Sequence, residues 1–129
     1  MGFTVCGGGA AADGPGQGAQ WVNLDAPVEP GCTLVVDLVR GDYSAAALGT
    51  CTFVDGDRVH GFGHPYNTLG ETLLPMSVGY VYTIVASRRM AFKVGGPIRR
   101  VGAIVQDRPS GVVGILGREA RMVPMTLRF

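Results

Sequence analysis

Short runs in which apolar and polar residues alternate are the dominant pattern of this chain. The clearest run covers residues 78–86, where Tyr80, Tyr82 and Ile84 would face one way and the residues between them the other. Similar runs, separated by turns rich in glycine and proline, recur about every 8–12 residues, and no stretch has a convincing helical period. Eight short strands are predicted, at Cys32–Arg40, Ser44–Val54, Arg58–Phe62, Val78–Ala86, Met90–Val94, Ile98–Gln106, Gly111–Leu116 and Met122–Phe129.

Glycines inside these strands favour a closed barrel, because sharp bends in a barrel wall need residues without a Cβ. They are Gly49, Gly61, Gly79, Gly102 and Gly114. We therefore predict an all-β fold, with a single barrel of six to eight strands over residues 21–129 and a flexible Gly/Ala-rich linker or arm at residues 1–20. A loop is predicted at residues 66–75 and a turn at residues 95–97, where glycine and proline cluster.

One predicted hairpin carries a histidine to the rim of the sheet. Asp55-Gly56 is a strong signal for a two-residue turn, because both turn positions must tolerate a positive φ. The return strand is predicted at Arg58–Phe62, and His64 lies just past its end. A histidine in such a position can serve as a general base.

Several segments along the chain occur in the order found in a known family. They are Val28–Gly31 with Leu38–Asp42, Gly49-Thr50, Gly61–Pro65, Val101–Arg108 and Gly111–Gly117. Together they resemble the sporulation stage IV protein B (SpoIVB) peptidase family, over roughly residues 28–127. Members of that family are serine peptidases placed among the chymotrypsin-like proteins. The resemblance implies a chymotrypsin-like barrel of six strands, peptide bond hydrolysis and an extracytoplasmic location.

The same resemblance implies that His64 is the general base, although His64 could instead only end its strand. Asp107 is a candidate for the orienting carboxylate, although an Asp followed by Arg also closes turns or forms local ion pairs. The family's nucleophile lies in a Gly-Met-Ser-Gly-Ser-Pro-like segment that this chain lacks, and Ser77 and Ser110 are the candidates for that role. We expect the chain to be the histidine-bearing half of a larger peptidase-like protein, with the serine before the linker or after Phe129.

The distribution of charge suggests other partners. Residues 1–71 hold eight acidic and two basic side chains, and residues 72–129 hold two acidic and nine basic ones. A basic half can bind nucleic acid, but few aromatic residues lie among these arginines, which disfavours stacking on single strands. The expected partners are a polypeptide substrate or the remainder of the same protein, with a homo-oligomer through strand edges as a further possibility. A non-catalytic binding module is the main alternative to a peptidase.

Other functional classes receive little support from the composition. Hydrophobic residues make up 47% of the chain, no apolar run is long enough for a membrane span, and no signal peptide is evident. His60 and His64 would lie about 13 Å apart along a strand, too far for one metal ion, and we predict no metal and no cofactor.

Two further features are the spacing of the cysteines and an acidic residue, Asp37, within an apolar run. The three cysteines have no zinc-binding spacing, and a Cys32–Cys51 disulfide remains open. Asp37 interrupts an apolar run and is predicted to be exposed, because an unpaired buried carboxylate is costly.

Overall fold

The computed structural model describes residues 8–9, 22–89 and 91–128. Apart from Gly8–Gly9, the predicted linker at residues 1–20 lies outside this part of the chain, as do Trp21, Met90 and Phe129. The described residues form seven β-strands: β1 (Gly8–Gly9), β2 (Thr33–Val39), β3 (Ala45–Asp55), β4 (Arg58–Gly61), β5 (Gly70–Val85), β6 (Phe92–Arg108) and β7 (Gly111–Leu116). No helix in this part of the chain is long and apolar enough to cross a membrane.

Six of the strands close into an antiparallel barrel. The order around the wall is β3, β2, β5, β6, β7 and β4, and β4 pairs back onto β3. The short β1 adds to β3 outside this ring, opposite Ala46 and Ala47. The predicted all-β fold with a single barrel is therefore confirmed.

The barrel is filled by one apolar cluster contributed by all six strands. Its fully buried members are Leu34, Val36, Cys51, Val59, Met76, Ile104 and Val112. Each such side chain contributes about 1.5–3 kcal/mol by leaving water, so the cluster is the main source of stability. The residues that face the barrel interior are thus mostly aliphatic, whereas Tyr82, Ile84 and Val85 of the alternating run at residues 78–86 are exposed.

The hairpin between β3 and β4 turns one residue later than predicted. Asp55 still pairs with Arg58, so the two turn residues are Gly56 and Asp57. Of these two, only Gly56 has a positive φ, of 60°. This matches the hairpin turn type in which glycine occupies the first central position.

Two predicted interruptions of strands are wrong. Strand β5 begins at Gly70, inside the predicted loop, and β6 runs without a break through the predicted turn at residues 95–97. The prolines are compatible with this, because each lies outside the residues that pair with the strand on its other side. Pro75 precedes the residues that pair with β2, and Pro97 precedes those that pair with β7.

The last predicted strand is also wrong, since residues 118–128 contain no strand. Arg121 donates its N–H to the carbonyl of Leu73 at 3.3 Å. Beyond it, the side chains of Met122, Val123 and Met125 are exposed. The apolar sequence there has no facing strand on which to pack.

The far ends of β5 and β6 extend past the barrel wall as a two-stranded ribbon. We call residues 80–85 and 92–96 the β-arm. Among the described strands, these residues pair only with each other. The ribbon bends over β3. This is seen at Gly95, where a Cβ would lie 2.9 Å from the Leu48 side chain of β3.

Candidate functional site

His64 lies on a loop that crosses one end of the barrel. We call residues 62–69 the His64 loop; it leads from the end of β4 to the start of β5. Phe62 has a φ of 73° and Gly63 a φ of 72°, so the chain turns sharply as it leaves β4. The N–H of Phe62 donates to the carbonyl of Thr50 at 2.8 Å, which fixes the start of the loop against β3.

The imidazole of His64 is exposed, and one of its nitrogens is already engaged. Nδ1 lies 2.8 Å from the carbonyl oxygen of Pro65. A carbonyl can only accept, so Nδ1 carries the proton in this contact. In the neutral tautomer with this proton, Nε2 is the hydrogen-bond acceptor, as a general base requires.

The ring of Phe62 packs between the barrel wall and the histidine. A Cβ on Gly49 would lie 2.1 Å from the Phe62 ring, so only glycine leaves room for it. On its other side, the ring centroids of Phe62 and His64 are 5.7 Å apart. Gly49 and Phe62, which belong to separate segments of the family resemblance, are therefore in direct contact.

Asp107 anchors the second half of the His64 loop. Its side chain is 0% exposed, and its two oxygens accept the backbone N–H groups of Tyr66, Asn67 and Leu69 at 2.8, 2.8 and 2.9 Å. Both oxygens are thus occupied by the loop backbone. Asp107 determines where the loop lies, and it does so without touching the imidazole.

Two residues close to Asp107, Arg108 and Tyr66, make further interactions at this end of the barrel. Arg108 donates from Nε to the side chain of Gln106 at 2.7 Å. Burial raises the pKa of Tyr66; the Asn67 side chain opposes this, and the Asp107 charge adds to it. The phenol therefore stays protonated at neutral pH.

The turn between β6 and β7 lies beside the His64 loop. Gly111 has a φ of 145°, and a Cβ there would lie 2.7 Å from the Gly61 carbonyl and 3.4 Å from the Gly63 nitrogen. This close approach brings together two segments that are far apart in sequence. Ser110 precedes Gly111 and is exposed in that turn.

Ser77 lies elsewhere, in the barrel wall. It is 0% exposed, and its hydroxyl donates to Asp37 Oδ2 at 2.6 Å. Asp37 is itself only 3% exposed, so the prediction of an exposed Asp37 is wrong. The reason is that Ser77, on the neighbouring strand β5, supplies the partner that a buried carboxylate requires.

The structure therefore collects only part of the predicted site. The His64 loop, Asp107 and Ser110 meet at one end of the barrel. Within the described residues, no hydrogen bond joins His64 to Asp107, Ser77 or Ser110.

The remaining acids and histidine of this hairpin lie apart from the loop. Asp55 and Asp57 are exposed at the hairpin turn. His60 is half-buried on β4, with its ring centroid 6.1 Å from that of Phe53. No group of three metal-binding side chains occurs within residues 22–89 and 91–128.

A lysine that sequence reasoning missed lies near the start of the loop. The ammonium of Lys93, on the β-arm, donates to Oγ1 of Thr50. The carbonyl of Thr50 is the group that holds Phe62. No local pattern indicates this contact, because it depends on the bend of the β-arm over β3.

An open basic groove of about 460 Å³ lies between the bent middle of β6 and the chain after β7. Its lining residues are Arg100, Val101, Gly102, Gly117, Arg118, Glu119 and Ala120. The N–H of Gly117 donates to the Val101 carbonyl at 2.9 Å and links the two segments that line the groove.

Comparison with known proteins gives no relative for this chain: no family model, no curated protein and no solved structure matches it.

Proposed function

We propose that this barrel is a serine-peptidase-like domain in which His64 is the general base. The observation that carries the proposal is the placement of the imidazole, which is exposed and has Nδ1 2.8 Å from the Pro65 carbonyl oxygen. The loop that carries it is fastened by Asp107, so the ring has a defined position. The resemblance to the stage IV sporulation peptidases supplies the reaction class.

In this mechanism, His64 Nε2 takes the proton of a serine hydroxyl as that oxygen attacks a peptide carbonyl. The resulting imidazolium then gives the proton to the leaving amine. The Pro65 carbonyl accepts from Nδ1 throughout, which keeps the ring oriented. Asp107 acts one step away as a positioning residue, because it sets the course of the loop backbone.

The nucleophile of the proposed enzyme is a serine supplied by polypeptide outside these residues. Ser77 is fully buried and bonded to Asp37, so its hydroxyl is not open to substrate. Ser110 is the alternative within the chain, because it is exposed in the turn that adjoins the His64 loop.

Labelling with a fluorophosphonate probe tests the proposal. The probe is applied to this chain and to the polypeptide encoded by its complete reading frame. We expect labelling of the complete polypeptide, its loss in His64→Ala, and its retention in His60→Ala, which removes the neighbouring histidine of the strand. Labelling of this chain alone, abolished by Ser110→Ala, would assign the nucleophile to Ser110. Labelling unaffected by His64→Ala would refute the role of the histidine.

A non-catalytic polypeptide-binding domain is the second candidate. It is favoured by Asp107, whose oxygens are both committed to the loop backbone and do not orient the imidazole. The edges of the β-arm would then receive a strand of a partner or of a second copy. Failure of the folded complete polypeptide to label, together with a dimer mass by light scattering, would support this candidate over the peptidase.

A further inference from the structure

Two cysteines lie side by side where β2 meets β3. The N–H of Cys51 donates to the Cys32 carbonyl at 2.9 Å, and the N–H of Gly31 donates to the Cys51 carbonyl at 2.8 Å. The next position along the ladder pairs Thr33 with Thr50. Cys32 also packs against the core cluster that contains Cys51. Both are free thiols in this structure.

The two thiols differ in their access to solvent. Cys51 is 2% exposed, and its thiol donates to the Phe53 carbonyl at 3.9 Å. Burial, the charge of Cys32 and a hydrogen bond between the two side chains together raise the pKa of Cys51 to about 11, against a smaller lowering by the Phe53 backbone. Cys32 is only half-buried, at the surface end of the pair. A reagent in solution therefore meets Cys32 first.

We propose that Cys32 and Cys51 form a reversible dithiol–disulfide couple, in which Cys32 reacts first and Cys51 resolves. The oxidant is a small-molecule disulfide of the glutathione type. The Cys32 thiolate attacks one sulfur of that disulfide, which forms a mixed disulfide and releases one small thiolate. Cys51 then gives up its proton and attacks the Cys32 sulfur, which forms the internal bond and releases the second thiolate. Two protein thiols are oxidised, and one small disulfide is reduced to two thiols.

The position of the couple gives it a structural effect. Thr50, beside Cys51, holds Phe62 through its carbonyl, and Cys51 itself pairs with Gly61 at the end of β4. A bond from Cys51 to the start of β2 would thus brace the strand on which the His64 loop begins. This inference is independent of the peptidase proposal, since it concerns only the two sulfurs and the strands that carry them.

The test uses the whole chain with Cys6→Ser, so that only the couple remains. Incubation with oxidised glutathione should give one peptide pair linked through Cys32 and Cys51 in non-reducing mass spectrometry. The thermal midpoint should rise by about 10 °C, because the link closes a loop in the unfolded chain. Dithiothreitol should reverse both changes.

Two single variants test the order of attack. Cys51→Ser should accumulate a glutathione adduct on Cys32, whereas Cys32→Ser should leave Cys51 unmodified while the barrel is folded. An adduct that forms faster on Cys51 than on Cys32 would overturn the assignment. So would a folded chain in which both thiols stay free although the chain oxidises readily in urea.

Discussion

Two buried carboxylates, Asp37 and Asp107, determine much of what individual residues do in this barrel. Each is almost fully removed from water, and each is matched by donors from another part of the chain. A hydrogen bond to a charged group is worth about 1.5–3 kcal/mol, and a buried charge left without its donor costs more than the bond alone. The first role of Ser77 and of the His64 loop amides is therefore to stabilise the fold by donating hydrogen bonds to these carboxylates.

At this scale we predict that Ser77→Ala destabilises the domain, while Ser110→Ala does not. Loss of the hydroxyl leaves Asp37 short of a donor, so the free energy of unfolding should fall by about 1–3 kcal/mol. Ser110 is exposed, and its replacement should change stability by less than about 0.5 kcal/mol. Urea unfolding of both variants measures the difference. Equal stabilities would show that the bond to Asp37 contributes nothing.

The sequence could suggest Asp107 and His64 as notable residues but not their partners. Asp37 and Ser77 are 40 residues apart, and they meet only because β2 and β5 pair in one particular register. Asp107 and the loop amides whose hydrogen bonds it accepts are likewise far apart in the sequence. Local patterns predict strands, whereas the register between distant strands decides which polar groups become buried together.

At the scale of elements, the His64 loop is held at both ends by the strands around it. Its first residue, Phe62, packs on Gly49 of β3, and the backbone of its second half is hydrogen-bonded to Asp107 of β6. The loop is therefore not an independent flexible segment. Its conformation depends on the contacts that it makes with β3 and β6 at this end of the barrel.

We predict that Gly49→Ala disturbs the loop through Phe62. The added Cβ would overlap the Phe62 ring, and overpacking of this kind costs about 1–3 kcal/mol. In a Phe62→Ala background the same substitution should cost much less, because the ring that it meets is gone. A double-mutant cycle by chemical unfolding measures this coupling.

The His64 imidazole signals in an NMR spectrum provide a second measurement. They should shift in Gly49→Ala, since the Phe62 ring lies beside the imidazole. Strictly additive free energies, together with unmoved His64 signals, would contradict this account of the packing.

Strand types were predictable from the sequence, but strand lengths were not. Alternation located β2, β3, β4 and β7 closely, because these strands are bounded by turns with ordinary turn chemistry. Strands β5 and β6 extend through prolines and glycines that usually end a strand. Pro75 and Pro97 are paired within the β5–β6 ladder, and each precedes the residues that pair with the strand on the other side, β2 or β7.

At the scale of the whole molecule, the main feature is that the six barrel strands close into a ring. Strand β7 joins β6 to β4, and β4 joins β3, so that the wall has no gap. Residues 118–128, which follow β7, form no strand of this ring. Stability should accordingly depend on β7 and not on the chain end.

We predict that a chain ending after Arg121 keeps its fold. The described part of the removed segment, residues 122–128, contains no strand, and its large apolar side chains are exposed, so the thermal midpoint should move by only a few degrees. A chain ending before Gly111 is the control, because it loses the strand that closes the ring and should fail to fold cooperatively. Circular dichroism melts compare the two. Unfolding of the first truncation would mean that the tail packs on the barrel after all.

The bonds from Asp107 to the His64 loop span 38 to 41 residues, and this separation sets an order of events during synthesis. The ribosome makes the histidine well before it makes the carboxylate that positions the loop. Until Asp107 emerges, the amides of the loop lack this acceptor. The folded position of His64 is therefore not available to the nascent chain. It becomes available only when the last two strands have been added and the barrel can close.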